Sequence, residues 1–304
     1  MAISDTSSSS LSGNIQGALW MLGSCVMATA MSLSVKGLAP HLHSFQITFI
    51  RCVFGAFLVL PFVMHGRLRL WKTPARNRHL LRGLLVAVAM NGGYYAITKL
   101  ELTTVTVLFF TAPLFVILFA ALLLGEKVGP RRWAACGFGF LGTLIVLRPD
   151  TGHFEPAMLA ALLSSVTFGL ALIIGKGLSK TEPTAVMMTY TLGLAGLLST
   201  PFAMAVWQPL DSKVILLLAV ATLAGTIRGV FDIRAYSAGE ASFVAPFQYA
   251  RLVMILIAGY LIFTEIPEWE ALAGGAVIIG STLYIALREY QLKKATPTQA
   301  GPGP

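Results

Sequence analysis

Charge is what this chain has least of. Only 12% of its 304 residues are Asp, Glu, Lys or Arg, about half the share of an average soluble domain. With 56% apolar residues, too little polar surface remains to coat a water-soluble globule, and too much apolar surface for a disordered chain. Cysteine is scarce as well. Cys25, Cys52 and Cys136 each lie in an apolar stretch, with no CxxC and no nearby His. They read as small buried hydrophobes, not as a disulfide framework or a metal site. The chain has no Walker A sequence, no HExxH and no GxSxG. That excludes ATP-driven chemistry within it and leaves nothing that reads as an enzyme. The histidines, His41, His43, His65, His79 and His153, are scattered in or near loops, which argues against a metal centre. No cofactor, no metal and no catalytic residue is expected.

What is present is long apolar runs. A bilayer core of about 30 Å needs about 20 apolar residues per helix. Ten stretches qualify, at 14–35, 44–64, 80–98, 102–124, 131–148, 156–175, 184–207, 216–237, 241–264 and 269–287. They are continuous and not alternating, which excludes a β-barrel. The expected fold is an all-α membrane protein of ten transmembrane helices. The eighth stretch is the weakest, because Arg228, Asp232 and Arg234 fall in its second half. The segment before Gly13 has no Lys or Arg. It lacks the basic region of a cleaved signal peptide, so the first helix is expected to be retained. Residues 1–13 and 289–304 read as disordered, the latter as a cytoplasmic tail.

The net charge of +9 comes from 22 Lys and Arg against 13 Asp and Glu. No basic stripe lies on a folded soluble domain, so nucleic acid is not an expected partner; the lipid bilayer is. Placing both termini in the cytoplasm puts fifteen Lys and Arg in inside segments and four in outside segments. That is a clear positive-inside pattern.

The two halves echo each other. Lys36-Gly37-Leu38 recurs as Lys176-Gly177-Leu178, and Pro61-Phe62 as Pro201-Phe202, both at a spacing of 140. Glu101 matches Glu240, Glu126 matches Glu265, and Thr143-Leu144 matches Thr282-Leu283, all at 139. The first repeat spans 14–149 (helices one to five), the second 150–288 (helices six to ten). Five helices is an odd number, so the second repeat enters the membrane from the opposite side. Inverted-topology repeats are a common transporter design, with the site at the midplane between them. Duplication retained only for packing is the alternative.

The segment Thr111-Ala112-Pro113-Leu114-Phe115 through Leu124-Gly125-Glu126, then Arg131-Arg132-Trp133 and Gly139-Phe140-Leu141-Gly142 through Leu147-Arg148-Pro149, resembles the first half of EamA-type transporters of the drug/metabolite transporter superfamily. Val244-Ala245-Pro246-Phe247 through Arg251-Leu252, then Gly259-Tyr260 and Glu265, resembles the second. The resemblance implies a ten-helix inner-membrane carrier with cytoplasmic termini, and a substrate among amino acids, other small metabolites or vitamins such as riboflavin. Arg51 fits the family pattern. Arg228 and Asp232 do not, which marks them as specific to this chain's substrate.

Charges inside a membrane cost about 2.5–3.5 kcal/mol each on insertion scales and normally face a cavity. Arg228 and Asp232, four apart, share a helix face, as a structural pair or a cavity-lining one. Arg251 sits mid-helix with Gln248 one turn away. Arg51, about 10 Å from its helix end by rise, is expected to be structural and to snorkel. Three arginines against one aspartate point to a carboxylate or other anionic group on the substrate. Pro113 and Pro246 each remove a backbone hydrogen bond, freeing a carbonyl for a ligand or only kinking a helix. Asn91 opens a polar, Gly-rich stretch through Tyr94. Thr111 stands beside the first proline. Tyr94, Phe110 and Tyr249 are candidate stacking surfaces, or packing. Ala135 and Gly139, and Ala271 and Gly275, are small-xxx-small pairs that read as packing or as a homodimer face.

The expected function is a secondary transporter that exports or imports a carboxylate-bearing small metabolite, such as an amino acid, by alternating access. A gradient, exchange or facilitation must drive it. The alternatives are a carrier for a planar metabolite such as riboflavin and, from a different class, a membrane-embedded enzyme.

Overall fold

The computed structural model describes residues 5–65, 73–124, 155–239 and 250–277, with isolated positions in 134–145, 244–248 and 279–280. Among them there is no strand. The helices are α1 (Asp5–Leu38), α2 (Ser44–His65), α3 (Arg76–Lys99), α4 (Leu102–Phe109), α5 (Ala112–Leu124), α6 (Pro156–Leu178), α7 (Thr184–Ala205), α8 (Ser212–Ala238) and α9 (Ala250–Phe263). Six of them, α1, α2, α3, α6, α7 and α8, are long and apolar enough to cross a bilayer; α4 with the start of α5, and α9, are shorter apolar helices. The chain is a multi-pass membrane protein. Of the fifth predicted stretch only isolated positions are described, and of the tenth only residues 269–277 and 279–280.

Local chemistry accounts for the helix ends. Pro156 takes the first position of α6, where its missing N–H costs nothing. Asp211 caps α8, its Oδ1 accepting from the Val214 N–H at 2.8 Å. The eighth stretch is one continuous helix in spite of its charges, because Arg228 and Asp232 neutralise each other within it. α1 is helical from Asp5, ahead of the predicted start at 14. Ser is only mildly unfavourable in a helix, and a turn anchored further along propagates at one bond per residue. The fourth stretch is two helices. The interruption falls at Phe110 and Thr111, and Pro113 stands in the first turn of α5, where proline is tolerated. The backbone groups loosened there are engaged: Thr111 Oγ1 (2.7 Å) and Ser165 Oγ (3.1 Å) both donate to the Leu108 carbonyl.

The halves match in three dimensions. α1 and α6 both end on Lys-Gly-Leu, and Pro61 and Pro201 are each the eighteenth residue of a 22-residue helix, α2 and α7. The main helix pairs are α1 with α8, α3 with α6, and α2 with α7. Exchanging the halves carries the first pair onto the second and the third onto itself.

Lipid-type surface surrounds the bundle. Phe54, Phe57, Leu216 and Leu261 are large, apolar and exposed, as the sides of a protein in hydrocarbon should be. Trp207 and Trp269 are exposed near helix ends, where membrane proteins place aromatic belts. Inside, hydroxyls such as Thr29, Ser34 and Thr48 donate to carbonyls four residues back, so few need partners on other helices. Ala271 is buried, and a Cβ at Gly275 would come within 3.1 Å of Val107 on α4. That small-residue pair is used inside the chain. Ala135 and Gly139 lie outside the described residues.

The two ends of the bundle are tied differently. At one, the Lys36 ammonium lies 3.1 Å from Glu265 Oε1 and donates to the Leu100 carbonyl at 2.6 Å, while Glu265 Oε2 accepts from the Leu102 N–H at 2.9 Å. Gln46, fully buried, exchanges two hydrogen bonds with the Gln208 backbone at the same end. At the other, Glu182 accepts from the Thr73 hydroxyl and lies 3.6 Å from His79, which stacks on Tyr190.

Candidate functional site

A cavity of about 190 Å³ runs down the middle of the bundle, lined by α1, α2, α3, α6, α7, α8 and the segments around α4 and α9. Along α3 its wall runs from Arg82 to Ile97, and along α6 from Ser164 to Ser179 just past the helix end. It therefore reaches the His79 end of the bundle and stops short of the Lys36 end.

Its charged groups are mostly cationic: among the described residues Arg51, Arg82, Lys176, Arg228 and Arg251 line it, against one carboxylate, Asp232. The deep arginines are held by aromatic faces more than by ions. The Arg51 guanidinium lies 5.6 Å from the centre of the Tyr94 ring, Arg228 5.6 Å from Phe168, and Arg251 5.8 Å from Phe109. Such contacts contribute about 2 kcal/mol or more when desolvated, less than an ion pair would. Arg51 is 6% exposed and Arg251 8%, and the Nε of each has no hydrogen-bond partner among the described residues. Arg51 makes one long contact, Nη1 to Met90 Sδ at 3.5 Å, and Arg251 donates from Nη2 to Ser32 Oγ at 2.8 Å. A buried charged donor without a partner is costly. These groups are therefore poised for an anion.

Arg228 and Asp232 do pair, Nε to Oδ2 at 3.5 Å, and Ser24 on α1 donates to the other oxygen, Oδ1, at 2.5 Å. The aspartate thus ties α8 to α1. Gln248 donates to the Tyr236 hydroxyl beside it. Gly225 makes the deepest part possible: a Cβ there would overlap the Arg51 guanidinium.

Of the residues singled out in the sequence, Arg228, Asp232, Arg251, Gln248, Tyr94 and Phe110 come together on this wall. Thr111 is buried in the interruption between α4 and α5 and does not line the cavity. Asn91 is engaged as a tether, its Nδ2 donating to the Ala87 carbonyl at 2.8 Å and to Ser199 Oγ at 2.9 Å on α7. Pro246, Tyr249 and the side chain of Pro113 lie outside the described residues. Arg51 was expected to snorkel and instead faces inward, because Gly225 leaves room for it on the bundle side. Sequence reasoning missed Arg82, Ser24 and Ser32. For Arg82 the available signal was Gly175, the small residue packed against its guanidinium. Among the described residues, no three His, Cys, Asp or Glu side chains are grouped to hold a metal.

The arrangement suits binding and release of a small anion-bearing molecule. The EamA-like transporter family matches the chain twice, at residues 15–148 and 155–287. The chain is 34% identical to the S-adenosylmethionine uptake transporter of Rickettsia prowazekii (strain Madrid E), over 90% of this chain and 94% of the relative. It is 30% identical to a riboflavin transporter of Rhizobium johnstonii, over 92% of this chain and 94% of the relative. A crystal structure superposes on 91% of this chain and 98% of its own with a TM-score of 0.66 at 18% identity, a likeness of fold.

Proposed function

The chain belongs to the EamA-like transporter family, and from that premise we propose that it carries an amino-acid-like, carboxylate-bearing metabolite through this cavity by alternating access. It is a small-metabolite transporter and not an enzyme. The observation that carries the finer reading is the wall of three deep arginines against one carboxylate. A ligand carboxylate would meet the free Nε groups of Arg51 and Arg251. Its ammonium would meet Asp232, and a planar or apolar remainder would lie against Tyr94, Phe109, Phe110 and Phe168. Uncovering the aspartate for the ligand would require Arg228 or Ser24 to let go, which couples binding to the α1–α8 contact.

The architecture we propose is ten spans in two inverted five-helix repeats, 14–149 and 150–288, with both termini in the cytoplasm of a bacterium. The exchange symmetry of the helix pairs supports the repeat, and the fifteen-to-four distribution of basic residues supports the orientation. On that orientation the His79 end faces the cytoplasm, and the structure represents an inward-facing form with the outer end tied by Lys36 and Glu265.

The ring-lined wall also supports a second reading, a planar metabolite such as riboflavin. Counterflow separates the two. Proteoliposomes loaded with unlabelled S-adenosylmethionine, its uncharged-sulfur analogue S-adenosylhomocysteine, an amino-acid mixture or riboflavin are offered the labelled form of each. Accumulation of a carboxylate-bearing solute, lost in Arg251→Gln, is expected. Counterflow of riboflavin alone would overturn the carboxylate reading.

A further inference from the structure

The cavity has a cationic cluster that the deep site leaves unused. Arg82 lies eight residues before Met90 on α3, about 12 Å of helix rise, and the Arg51 guanidinium touches the Met90 sulfur, so the two arginines mark different depths of the cavity. Arg82 is 8% exposed and lines the cavity near its His79 end. Its Nη1 donates twice to α7, to Thr191 Oγ1 at 2.6 Å and to the Met187 carbonyl at 3.2 Å. A tether between helices would need no more than that, yet Nε is buried with no partner. The side of the guanidinium facing α6 is uncovered because residue 175 is glycine: a Cβ there would lie 3.0 Å from Nε. One position on, Lys176 lines the same cavity, half-buried, and no carboxylate among the described residues pairs with it. Its repeat counterpart, Lys36, is tied to Glu265; the counterpart of that glutamate, Glu126, lies outside the described residues. Among the described residues, Glu182 at this end is engaged by His79 and Thr73. Ser179, one turn beyond Lys176, lines the cavity too, its hydroxyl donating to the Lys176 carbonyl at 3.0 Å.

We propose that Arg82 and Lys176 form a second anion-binding station at the His79 end of the cavity, which holds a carboxylate or phosphate group of a solute on its way between the deep arginines and the aqueous phase. Two cations in a partly desolvated wall suit a doubly charged or bidentate oxyanion. The station rests on the cavity being the transport route, and on no particular substrate.

The test uses the full chain in nanodiscs of zwitterionic lipid, with Cys25, Cys52 and Cys136 replaced by Ala and a reporter introduced as Ser179→Cys. A negatively charged methanethiosulfonate should modify that cysteine at least tenfold faster, relative to a positively charged one, than it does a free thiol. Lys176→Gln, a half-exposed position that should leave folding intact, should cut that preference at least fivefold. Inorganic phosphate at millimolar concentration should protect the cysteine from an uncharged reagent, and Lys176→Gln should raise the half-protecting concentration at least tenfold. The double variant Arg228→Gln with Asp232→Asn, which strands no charge, should leave it unchanged. Equal protection with and without Lys176 would overturn the station, and an equal loss in that double variant would merge it with the deep site. Protection by phosphatidylglycerol nanodiscs in place of phosphate would replace the solute with a lipid headgroup and overturn it too. Protection with no counterflow of any candidate metabolite would leave the station standing and sink the substrate reading instead.

Discussion

Neutralising the Arg228–Asp232 pair separates a structural role from a transport role. At 3.5 Å and an effective dielectric constant of about 20, the gross attraction is about 5 kcal/mol. Both side chains keep some exposure, 24% and 15%, and desolvation offsets much of the attraction. Removing one partner is worse than removing both, because it leaves a charge stranded in the bundle, at a cost of about 3–5 kcal/mol. Asp232→Asn should therefore lower the melting temperature and the yield, and so should Arg228→Gln. Asp232 would keep one compensation in the latter, the Ser24 hydrogen bond, so Arg228→Gln should be the milder. The double variant strands nothing and should fold close to wild type. If the pair belongs to the site, the double variant still loses a charge-assisted contact with substrate worth about 1.5–3 kcal/mol, a rise of about 10- to 150-fold in the half-saturating concentration for counterflow. The assays are fluorescence-detected size exclusion for folding and concentration-dependent counterflow for function. A double variant that folds and transports with unchanged affinity would refute the reasoning and leave Arg251 and Arg51 as the binding groups.

Other expectations follow from single contacts. Gly225→Ala should displace the Arg51 guanidinium from Tyr94 and reduce transport at least tenfold with a modest change in melting temperature; wild-type kinetics would show that Arg51 is only packing. Glu101, between α3 and α4, has an enclosed and unpartnered Oε2, and its carboxyl is pushed up by burial, then by Glu265 and Glu268, against the pull of Lys36. A carboxyl raised in the folded state stabilises it fully below the ordinary carboxylate range and loses that contribution as pH rises through the raised value. Melting temperature should accordingly fall from about pH 4 upward, and Glu101→Gln should flatten the slope; an identical slope would acquit Glu101. Lys36→Gln should release Glu265 and speed the reaction of native Cys25, on the cavity wall, with an impermeant thiol reagent added from the Lys36 side, several-fold over wild type when Cys52 and Cys136 are replaced. Asn91→Ala should strand Ser199 on α7 and cost about 1–3 kcal/mol of stability with little effect on substrate affinity.

The six long apolar helices were legible because hydrophobic length is a one-dimensional property; the repeat we propose rests on identical residues at a spacing of 139 or 140. Arg228, Asp232 and Arg251 were legible for a related reason: a charge in an apolar run has few places to go. The direction in which a side chain points is different. Arg51 could be placed in depth by helical rise, but only a glycine 174 positions away on another helix decides that it faces inward. Arg82 drew no notice at the edge of the third apolar stretch, although α3 begins six residues earlier, at Arg76. The polar run from Asn91 suggested a binding face, whereas its amide is used by Ser199 on a helix that no local pattern brings near. Pro113 marked the interruption of the fourth stretch correctly in neighbourhood but two residues late, since the backbone gives way ahead of the ring.

The pairing of α1 with α8, α2 with α7 and α3 with α6 also bears on how the chain is made. Each helix of the first half finds its main partner in the second, so the amino-terminal half leaves the ribosome with no complete interior of its own. Arg51 and Arg82 must enter the lipid before the helices that shelter them, α7 and α8, have been synthesised. During that interval they depend on water, headgroups or an insertion chaperone. Assembly is then a closing of two unfinished halves on each other, timed by translation of residues 184–238.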